Sequence, residues 1–225
     1  MPLRIANWNV YNGTLAGMTP DARMTAFAAY CATVNVDVIG FQEVPTGALA
    51  IAAPGWTTLS MNSEYPPTPA NPAPASATTV GYVVLYNAAR VVPTTALDFL
   101  MPTNFVPLRG AAQSRPPVAC SIRNVANTAN CRFSVWHNEA GARATLSMAG
   151  LHNTYIGTAT TDVIVGDFNV PAQTALRNPF FPGWNAVTDN LDAILSNVGV
   201  QDVAIPAPFK SDVHFAMIAE IDLGW

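Results

Sequence analysis

Hydrophobic residues fall in short runs along this chain, and several runs have the length and composition of β-strands. Val163 to Val165 is apolar and β-branched, which is typical of a buried strand, and Gly166 stands where we expect the chain to turn sharply. Asp167 and Asn169 follow at once, on either side of Phe168. If the backbone stays extended, their polar side chains share one face. The segment GDFN fits a ligand site at the end of a strand and fits an ordinary turn equally well.

The same pattern, an apolar run next to polar residues, recurs along the chain. We expect strands at 3–10, 37–44, 81–87, 117–123, 131–136 and within 210–221. Residues 21–34 and 142–151 predict helices that pack on the sheets. Asp192 lies inside the apolar run 190–196, where it either caps a helix or belongs to a strand under the site.

Composition and charge narrow the class of protein. Of the 225 residues, 50% are hydrophobic and 11% are charged, which indicates one folded domain over residues 1–225 with a large core. The net charge of -4 disfavours nonspecific binding to the nucleic-acid backbone, because such binding normally uses a basic face. We find no membrane-spanning run and no signal peptide at the start, so we expect a soluble chain that is cytoplasmic or a mature secreted protein.

Candidate chemical groups lie next to the predicted strands. Asn9 and Glu43 come at the ends of the first two strands, His137 follows the strand at 131–136, and His214 lies near the start of the last. A carboxylate at the end of a buried strand is costly unless it is paired or bound to a cation. A histidine at a strand end can reach a cleft, and an arginine such as Arg115 suits a phosphate because its fork donates two hydrogen bonds. Each residue alone also fits a structural or surface role.

Taken together and in this order, these segments resemble the endonuclease/exonuclease/phosphatase superfamily, typified by deoxyribonuclease I. The matching segments are NWNV at Asn9, FQEV at Glu43, SRP at Arg115, VWHNEAG at His137, GDFN at Asp167 and Asn169, LDAI at Asp192, and SDVH at Asp212 and His214. The pair SRPPVACSIR and FSVWHNEAG is similar to bacterial members related to the active subunit of cytolethal distending toxin. The resemblance implies a layered α/β sandwich, with two mostly antiparallel or mixed β-sheets flanked by helices.

The resemblance also implies a reaction, which is metal-dependent hydrolysis of a phosphodiester or phosphomonoester bond in DNA, a phosphoinositide, a sphingolipid or a small phosphate ester. Mg²⁺ is the expected ion, with Mn²⁺ or Ca²⁺ as alternatives, because the ligands are hard oxygen atoms. The implied metal ligands are Glu43, Asn9 and Asp212. The implied catalytic residues are His137, Asp167, His214 and Asp212, and the implied substrate-binding residues are Arg115, Asn169 and Asp192.

One departure from the family pattern leaves an alternative open. Val213 separates Asp212 from His214, whereas the family has the two residues adjacent. We expect a local bulge to bring both side chains to the site. Without it, the chain would be a catalytically degenerate protein that binds a phosphorylated ligand. The otherwise complete set of polar groups favours the enzyme, because such groups are costly to bury without a cation.

The cysteines suggest one further pairing. Cys120 and Cys131 flank the segment SIRNVANTAN, in which two extended arms can form a hairpin. If the hairpin is centred near Val125 and Ala126, the two cysteines lie opposite each other and can form a disulfide in an oxidising compartment. Cys31, in the first predicted helix, is expected to be a buried thiol.

Overall fold

Two β-sheets pack face to face in the computed structural model. The structure describes residues 2–10, 17–66, 80–101, 115–141, 143–155, 160–176, 180–205, 209 and 214–223. The six-stranded sheet within these residues has the order β12-β13-β1-β2-β4-β3. Its strands are β1 (Leu3–Asn9), β2 (Val38–Pro45), β3 (Thr57–Met61), β4 (Val80–Tyr86), β12 (Val200–Asp202) and β13 (Met217–Ile221).

The second sheet has seven strands among the described residues. Its order is β10-β11-β9-β8-β7-β5, and β6 pairs with β7 outside that path. Its strands are β5 (Val91–Pro93), β6 (Asp98–Phe99), β7 (Val118–Asn124), β8 (Asn130–His137), β9 (Asp162–Asp167), β10 (Asn185–Asp189) and β11 (Asp192–Ser196). Asp192 therefore begins a strand and does not cap a helix, which settles the alternative that the sequence left open.

Helices cover the outer faces of the two sheets. The predicted helices are confirmed as α1 (Pro20–Thr33) and α2 (Arg143–Tyr155), and a short α3 (Ala172–Ala175) follows β9. Phe27 and Cys31 of α1 pack on the six-stranded sheet, and Met148 of α2 packs on the seven-stranded sheet. No helix in the described part of the chain is long and apolar enough to cross a bilayer. The layered α/β sandwich expected from the resemblance is confirmed.

A third apolar core lies between the sheets, and β1 shows how the sequence builds it. Leu3 and Ile5 face the opposite sheet, whereas Ala6 and Trp8 face α1. Because side chains alternate along a strand, Asn7 and Asn9 continue the row of Leu3 and Ile5 and enter the space between the sheets. The sheets approach closely at Gly40, where an added Cβ would lie 2.7 Å from Val165 Cγ2 and 2.8 Å from Val135 Cγ2.

The directions of the strands bring the strand ends that carry polar residues to one edge of the sandwich. β1 runs parallel to β2, and β8 runs parallel to β9. β13 is antiparallel to β1, and β11 is antiparallel to β9. The carboxyl ends of four strands therefore meet the amino-terminal ends of two others. Residues 210–213, at the predicted start of the last strand, lie outside the described residues, as do residues 67–79.

Gly166 does not end its strand, contrary to the sharp turn expected there. β9 continues through Gly166 to Asp167, and Gly166 is paired with Trp136 on β8. A Cβ added to Gly166 would lie 1.7 Å from the Trp136 carbonyl oxygen and 2.7 Å from the carbonyl carbon. Glycine is thus required because the backbones of the two strands approach closely beside Asp167.

Replacing Gly166 with alanine should therefore destabilise the protein strongly. We expect the free energy of unfolding to fall by roughly 3–5 kcal/mol, the range of severe core substitutions, because two backbones must separate. Urea unfolding of Gly166→Ala measures the loss. Gly47→Ala is the control, since an added Cβ there meets no atom within 4 Å. Equal stability of the two variants would contradict the steric argument.

The register of the β7–β8 hairpin separates the two cysteines expected to face each other. Cys120 pairs with Phe133, and Cys131 pairs with Ile122. The hairpin is centred one residue later in the chain than expected, so the partner of each β7 residue lies two positions later on β8. The connecting loop includes Thr128 in a left-handed conformation, at a φ of 63°. Diagonal Cβ atoms on neighbouring strands are farther apart than the roughly 3.5–4.5 Å that a disulfide needs. All three cysteines are free and buried, so the opposed arrangement was wrong and the buried Cys31 is confirmed.

Candidate active site

Six candidate residues from both sheets converge at the edge where the strand ends meet. Those from the six-stranded sheet are Asn9 at the end of β1, Glu43 on β2, and His214 three residues before β13. Those from the seven-stranded sheet are His137 at the end of β8, Asp167 at the end of β9, and Asp192 at the start of β11. The predicted site is thus one physical cluster, as far as its residues are described.

Asp167 lies at the centre of this cluster. Its Oδ2 atom is 3.4 Å from Nδ2 of Asn9, 3.8 Å from Nε2 of His137 and 3.7 Å from Nε2 of His214. Asn9 and His214 belong to one sheet, whereas His137 and Asp167 belong to the other. An amide and two imidazoles therefore surround one carboxylate oxygen across the junction of the sheets.

Each imidazole has a second carboxylate behind it. His137 Nδ1 lies 2.8 Å from Glu64 Oε2, and His214 Nδ1 lies 2.9 Å from Asp192 Oδ2. A carboxylate accepts a hydrogen bond, so Nδ1 carries the proton in both rings and Nε2 is turned towards Asp167. The cluster thus holds two carboxylate–imidazole pairs, one on each side of the central carboxylate.

The pairing shifts the pKa of both imidazoles upwards. Burial alone lowers the pKa of His137, but the charge and hydrogen bond of Glu64 raise it above its usual value. Burial likewise lowers the pKa of His214, and the bond to Asp192 raises it overall. Burial raises the pKa of Asp192 to about 7, although its hydrogen bond with His214 lowers it. Asp192 and His214 therefore titrate as a coupled pair.

Glu43 has an unusual backbone that turns its carboxylate into the cluster. The pairing of β2 with β4 is irregular between Phe41 and Val44, and Glu43 has a φ of 53°. Its backbone N–H donates to Oε1 of Glu64 at 3.0 Å. A non-glycine residue persists in this conformation only where the surroundings fix it. The sequence alone gave no indication of this bulge.

The carboxylate of Glu43 is suited to a cation. Its Oε1 lies 3.3 Å from His137 Nε2, and its buried Oε2 has no hydrogen-bond partner among the described residues. Burial raises the pKa of this carboxyl, and the nearby Glu64 and Asp167 charges raise it further, while His137 lowers it. A divalent cation would satisfy the orphaned oxygen and offset the repulsion between the carboxylates.

A second group of side chains at the site has the composition and spacing of metal ligands. Asp167, Asp192 and His214 offer ligand atoms that all lie within 4.8 Å of one another. The hydrogen bond between Asp192 and His214 already explains why these atoms are close. Asp192 Oδ1, like Glu43 Oε2, is buried without a hydrogen-bond partner among the described residues. Glu43 is still the stronger indication of where a cation binds, because the other Asp192 oxygen already accepts a hydrogen bond from His214 at 2.9 Å, whereas the Glu43 carboxylate lies 3.3 Å from His137.

The three predicted substrate-binding residues differ in their surroundings. Asp192 is fully buried, and its Oδ2 lies 2.9 Å from His214 Nδ1. Arg115 Nη1 lies 3.2 Å from Glu64 Oε2 and packs against the ring of His137, and its Nε lies 3.9 Å from Glu139 Oε1. Asn169 follows Asp167 at a φ of 51°. Asp212, predicted as a catalytic residue and a metal ligand, lies outside the described residues.

Sequence reasoning missed three buried residues around the cluster. Glu64 comes three residues after β3 and 21 positions from Glu43, outside every predicted strand and helix. Asn138 and Glu139 lie in the segment VWHNEAG, where only His137 was assigned a role. A buried carboxylate needs a partner, but its partner cannot be read from local spacing when it lies on another strand.

Comparisons with known proteins concern the family and the fold of the chain. The model of the Endonuclease/Exonuclease/phosphatase family matches residues 6–212. Among curated proteins, no sequence match is found. The human Nocturnin catalytic domain with bound sulfate is 13% identical, with a TM-score of 0.67 over 97% of this chain and 92% of that chain.

Two further solved structures share the fold. A mannosyl-6-phosphatase from Bacteroides thetaiotaomicron is 14% identical, with a TM-score of 0.64 over 97% of this chain and 99% of that chain. D. rerio TDP2 in complex with a single-strand DNA product is 14% identical, with a TM-score of 0.63 over 98% of each chain. At these identities the likeness concerns the fold alone.

Proposed function

Because the chain belongs to the endonuclease/exonuclease/phosphatase family, we propose that it is a metal-dependent phosphoesterase. The observation that carries the proposal is the position of Asp167 between two carboxylate–imidazole pairs, His137 with Glu64 and His214 with Asp192. Hydrolysis of a phosphate ester needs a group that takes a proton from water and a group that gives one to the leaving oxygen. This cluster offers both.

The position of each residue in the cluster indicates its role in the proposed reaction. Asp167 orients or deprotonates the attacking water, since its Oδ2 faces both imidazoles. His137 and His214 act as acid, base or hydrogen-bond donors through Nε2, and their carboxylate partners hold Nδ1 protonated. Asn169 donates to a nonbridging phosphate oxygen. Arg115 adds positive charge at the same edge.

The metal would be held by Glu43 and Asn9, with Asp212 as the third ligand that the family resemblance implies. The buried, unpaired Oε2 of Glu43 supports this position. When bound, Mg²⁺ neutralises charge on the phosphate and on the leaving oxygen. Mn²⁺ or Ca²⁺ are the alternatives to test.

The charge of the site favours a phosphodiester over a phosphomonoester. The carboxylates around the cluster are those of Glu43, Glu64, Glu139, Asp167 and Asp192. Among the described residues, the groups of positive charge that face them are the Arg115 guanidinium and the imidazoles of His137 and His214, whose pKa values are raised. A diester brings one negative charge to this site and a monoester brings about two near neutral pH, so the diester meets less repulsion.

A hydrolysis screen tests the proposal. Purified protein is offered DNA, a phosphoinositide, a sphingolipid phosphodiester and a small phosphate monoester, with Mg²⁺ and with chelator. We expect metal-dependent release of product from at least one diester. The substitution Asp167→Asn should abolish this hydrolysis. The control is Asp162→Asn, because Asp162 is a buried carboxylate at the other end of β9 and pairs with Arg132. This variant should keep the activity per mole of folded protein. Activity in none of the four classes would favour a phosphate-binding protein without turnover.

A further inference from the structure

Asn138 joins three segments beside the site through three side-chain hydrogen bonds. Its side chain is fully buried. Nδ2 donates to the carbonyl oxygens of Phe168 at 2.9 Å and Ala144 at 3.0 Å, and Oδ1 accepts from the Glu139 N–H at 2.8 Å. One side chain thus connects the end of β8, the start of α2 and the loop after β9.

The backbone of Asn138 contacts the same loop. Its N–H donates to the carbonyl oxygen of Asp167 at 2.8 Å, and its carbonyl oxygen accepts from Asn169 Nδ2 at 2.9 Å. Asn138 is therefore bonded to three consecutive residues, Asp167, Phe168 and Asn169. The Asn169 N–H in turn donates to Asp167 Oδ1 at 2.8 Å.

This loop needs external support. Asn169 has a φ of 51°, a conformation that a non-glycine residue keeps only when its surroundings fix it. The amide of Asn169 has two N–H donors, and the bond to the Asn138 carbonyl uses one of them. The second is then held in a fixed direction, where it can meet a phosphate oxygen.

We propose that Asn138 is a positioning residue, which fixes the Asp167 carboxylate and the Asn169 amide relative to His137. The inference rests on the proposed phosphoesterase function, because it states how two groups of that site are held. Asn138 contacts neither substrate nor metal in this proposal. Misplacement of reacting groups by about 1 Å costs on the order of 100-fold in rate.

Asn197 provides a matched control at the opposite end of β9. Its Oδ1 accepts from the Asp162 N–H at 2.9 Å, and its Nδ2 donates to the Thr160 carbonyl oxygen at 2.8 Å. Asn197 thus joins β9 to a neighbouring loop, as Asn138 does, but at the end of the strand that is remote from the cluster. A general loss of strand stability should follow from either substitution.

The kinetic test compares Asn138→Asp and Asn138→Ala with the same substitutions at Asn197. The aspartate is nearly the same size but presents an acceptor to two carbonyl oxygens. We expect both Asn138 variants to lose about 100-fold in kcat, with KM changed by no more than about threefold. The Asn197 variants should keep kcat per mole of folded protein. Asn138→Ser, which retains one donor, should recover part of the loss and serves if the other variants do not fold.

Hydrogen exchange of the backbone amides gives a readout that does not depend on activity. The Phe168 N–H donates to the Leu191 carbonyl oxygen at 2.8 Å and should be protected in the wild type. Asn138→Ala should speed exchange at Phe168 and Asn169, whereas Asn197→Ala should not. Unchanged exchange at these amides, or full kcat in Asn138→Ala, overturns the proposal. A wild type that hydrolyses no ester refutes the proposed function, and the exchange result then decides the positioning role alone.

Discussion

Replacing His214 with alanine should lower kcat by about 10² to 10⁴, the loss expected when a general acid or base is removed. His137→Ala should have an effect of the same size, because the two rings flank the same oxygen of Asp167 at 3.8 and 3.7 Å. The two losses should not multiply in the double variant, since both rings act on one transition state. Steady-state kinetics of the three variants gives the comparison.

Measuring Mg²⁺ affinity in the same variants distinguishes a catalytic role of these histidines from a structural one. Mg²⁺ affinity should remain nearly intact in both single variants, because the proposed ligands are oxygen atoms of other residues. Full activity of His214→Ala beside an inactive His137→Ala would show that the family role does not transfer to His214. Full activity in both single variants would show that neither histidine takes part in turnover and would contradict the role proposed for the two carboxylate–imidazole pairs.

Removal of the metal should abolish turnover and lower the melting temperature. Carboxylates that converge without a cation repel each other, so binding of Mg²⁺ stabilises the folded state by mass action. The gain is roughly 2.7 kcal/mol at a hundredfold excess over the dissociation constant. Thermal unfolding of metal-free protein, with and without Mg²⁺, measures this shift.

The Glu43→Gln variant should lose most of the Mg²⁺-induced shift, because it lacks the charged oxygen that has no partner in the described residues. Glu220→Gln is the matched control, since Glu220 is bonded to Arg4 at 2.6 Å, on a strand of the same sheet but away from the cluster. A melting temperature that ignores both Mg²⁺ and chelator would count heavily against the proposed metal site.

The sequence predicted the strands β1, β2, β4, β7, β8, β9 and β13, because each carries its own local signal. The short strands β3, β5, β6, β10 and β12 were not predicted, since few of their residues are buried. The apolar runs around Ile5, Ile39 and Ile164 are β-strands with both faces buried, and the polar residues after them reach one edge. Two backbone details were missed because they depend on a neighbouring strand. Gly166 is required by the carbonyl of Trp136, and the register of Cys131 depends on a left-handed residue, Thr128, in the connecting loop.

The sequence identified the residues at the centre of the candidate cluster and missed the residues that contact them from other segments. Asp167 and His137 stand at strand ends, where the sequence pattern can identify them. Glu64 contacts His137 but lies 73 positions earlier in the chain, so no local sequence pattern links the two residues. Arg115 was expected to face phosphate, but its contacts with Glu64 and Glu139 depend on how the two sheets meet.

The junction between the sheets makes the apolar core one of the determinants of the geometry of the cluster. The close contacts around Asp167 Oδ2 and the bond between His214 and Asp192 join one sheet to the other, so the thickness of the sandwich sets their lengths. Gly40 meets Val135 and Val165 where that thickness is small. A methyl group gained or lost there would change the spacing of the reacting groups without touching any of them. Efforts to stabilise the protein by repacking its interior must therefore preserve the separation of the two sheets.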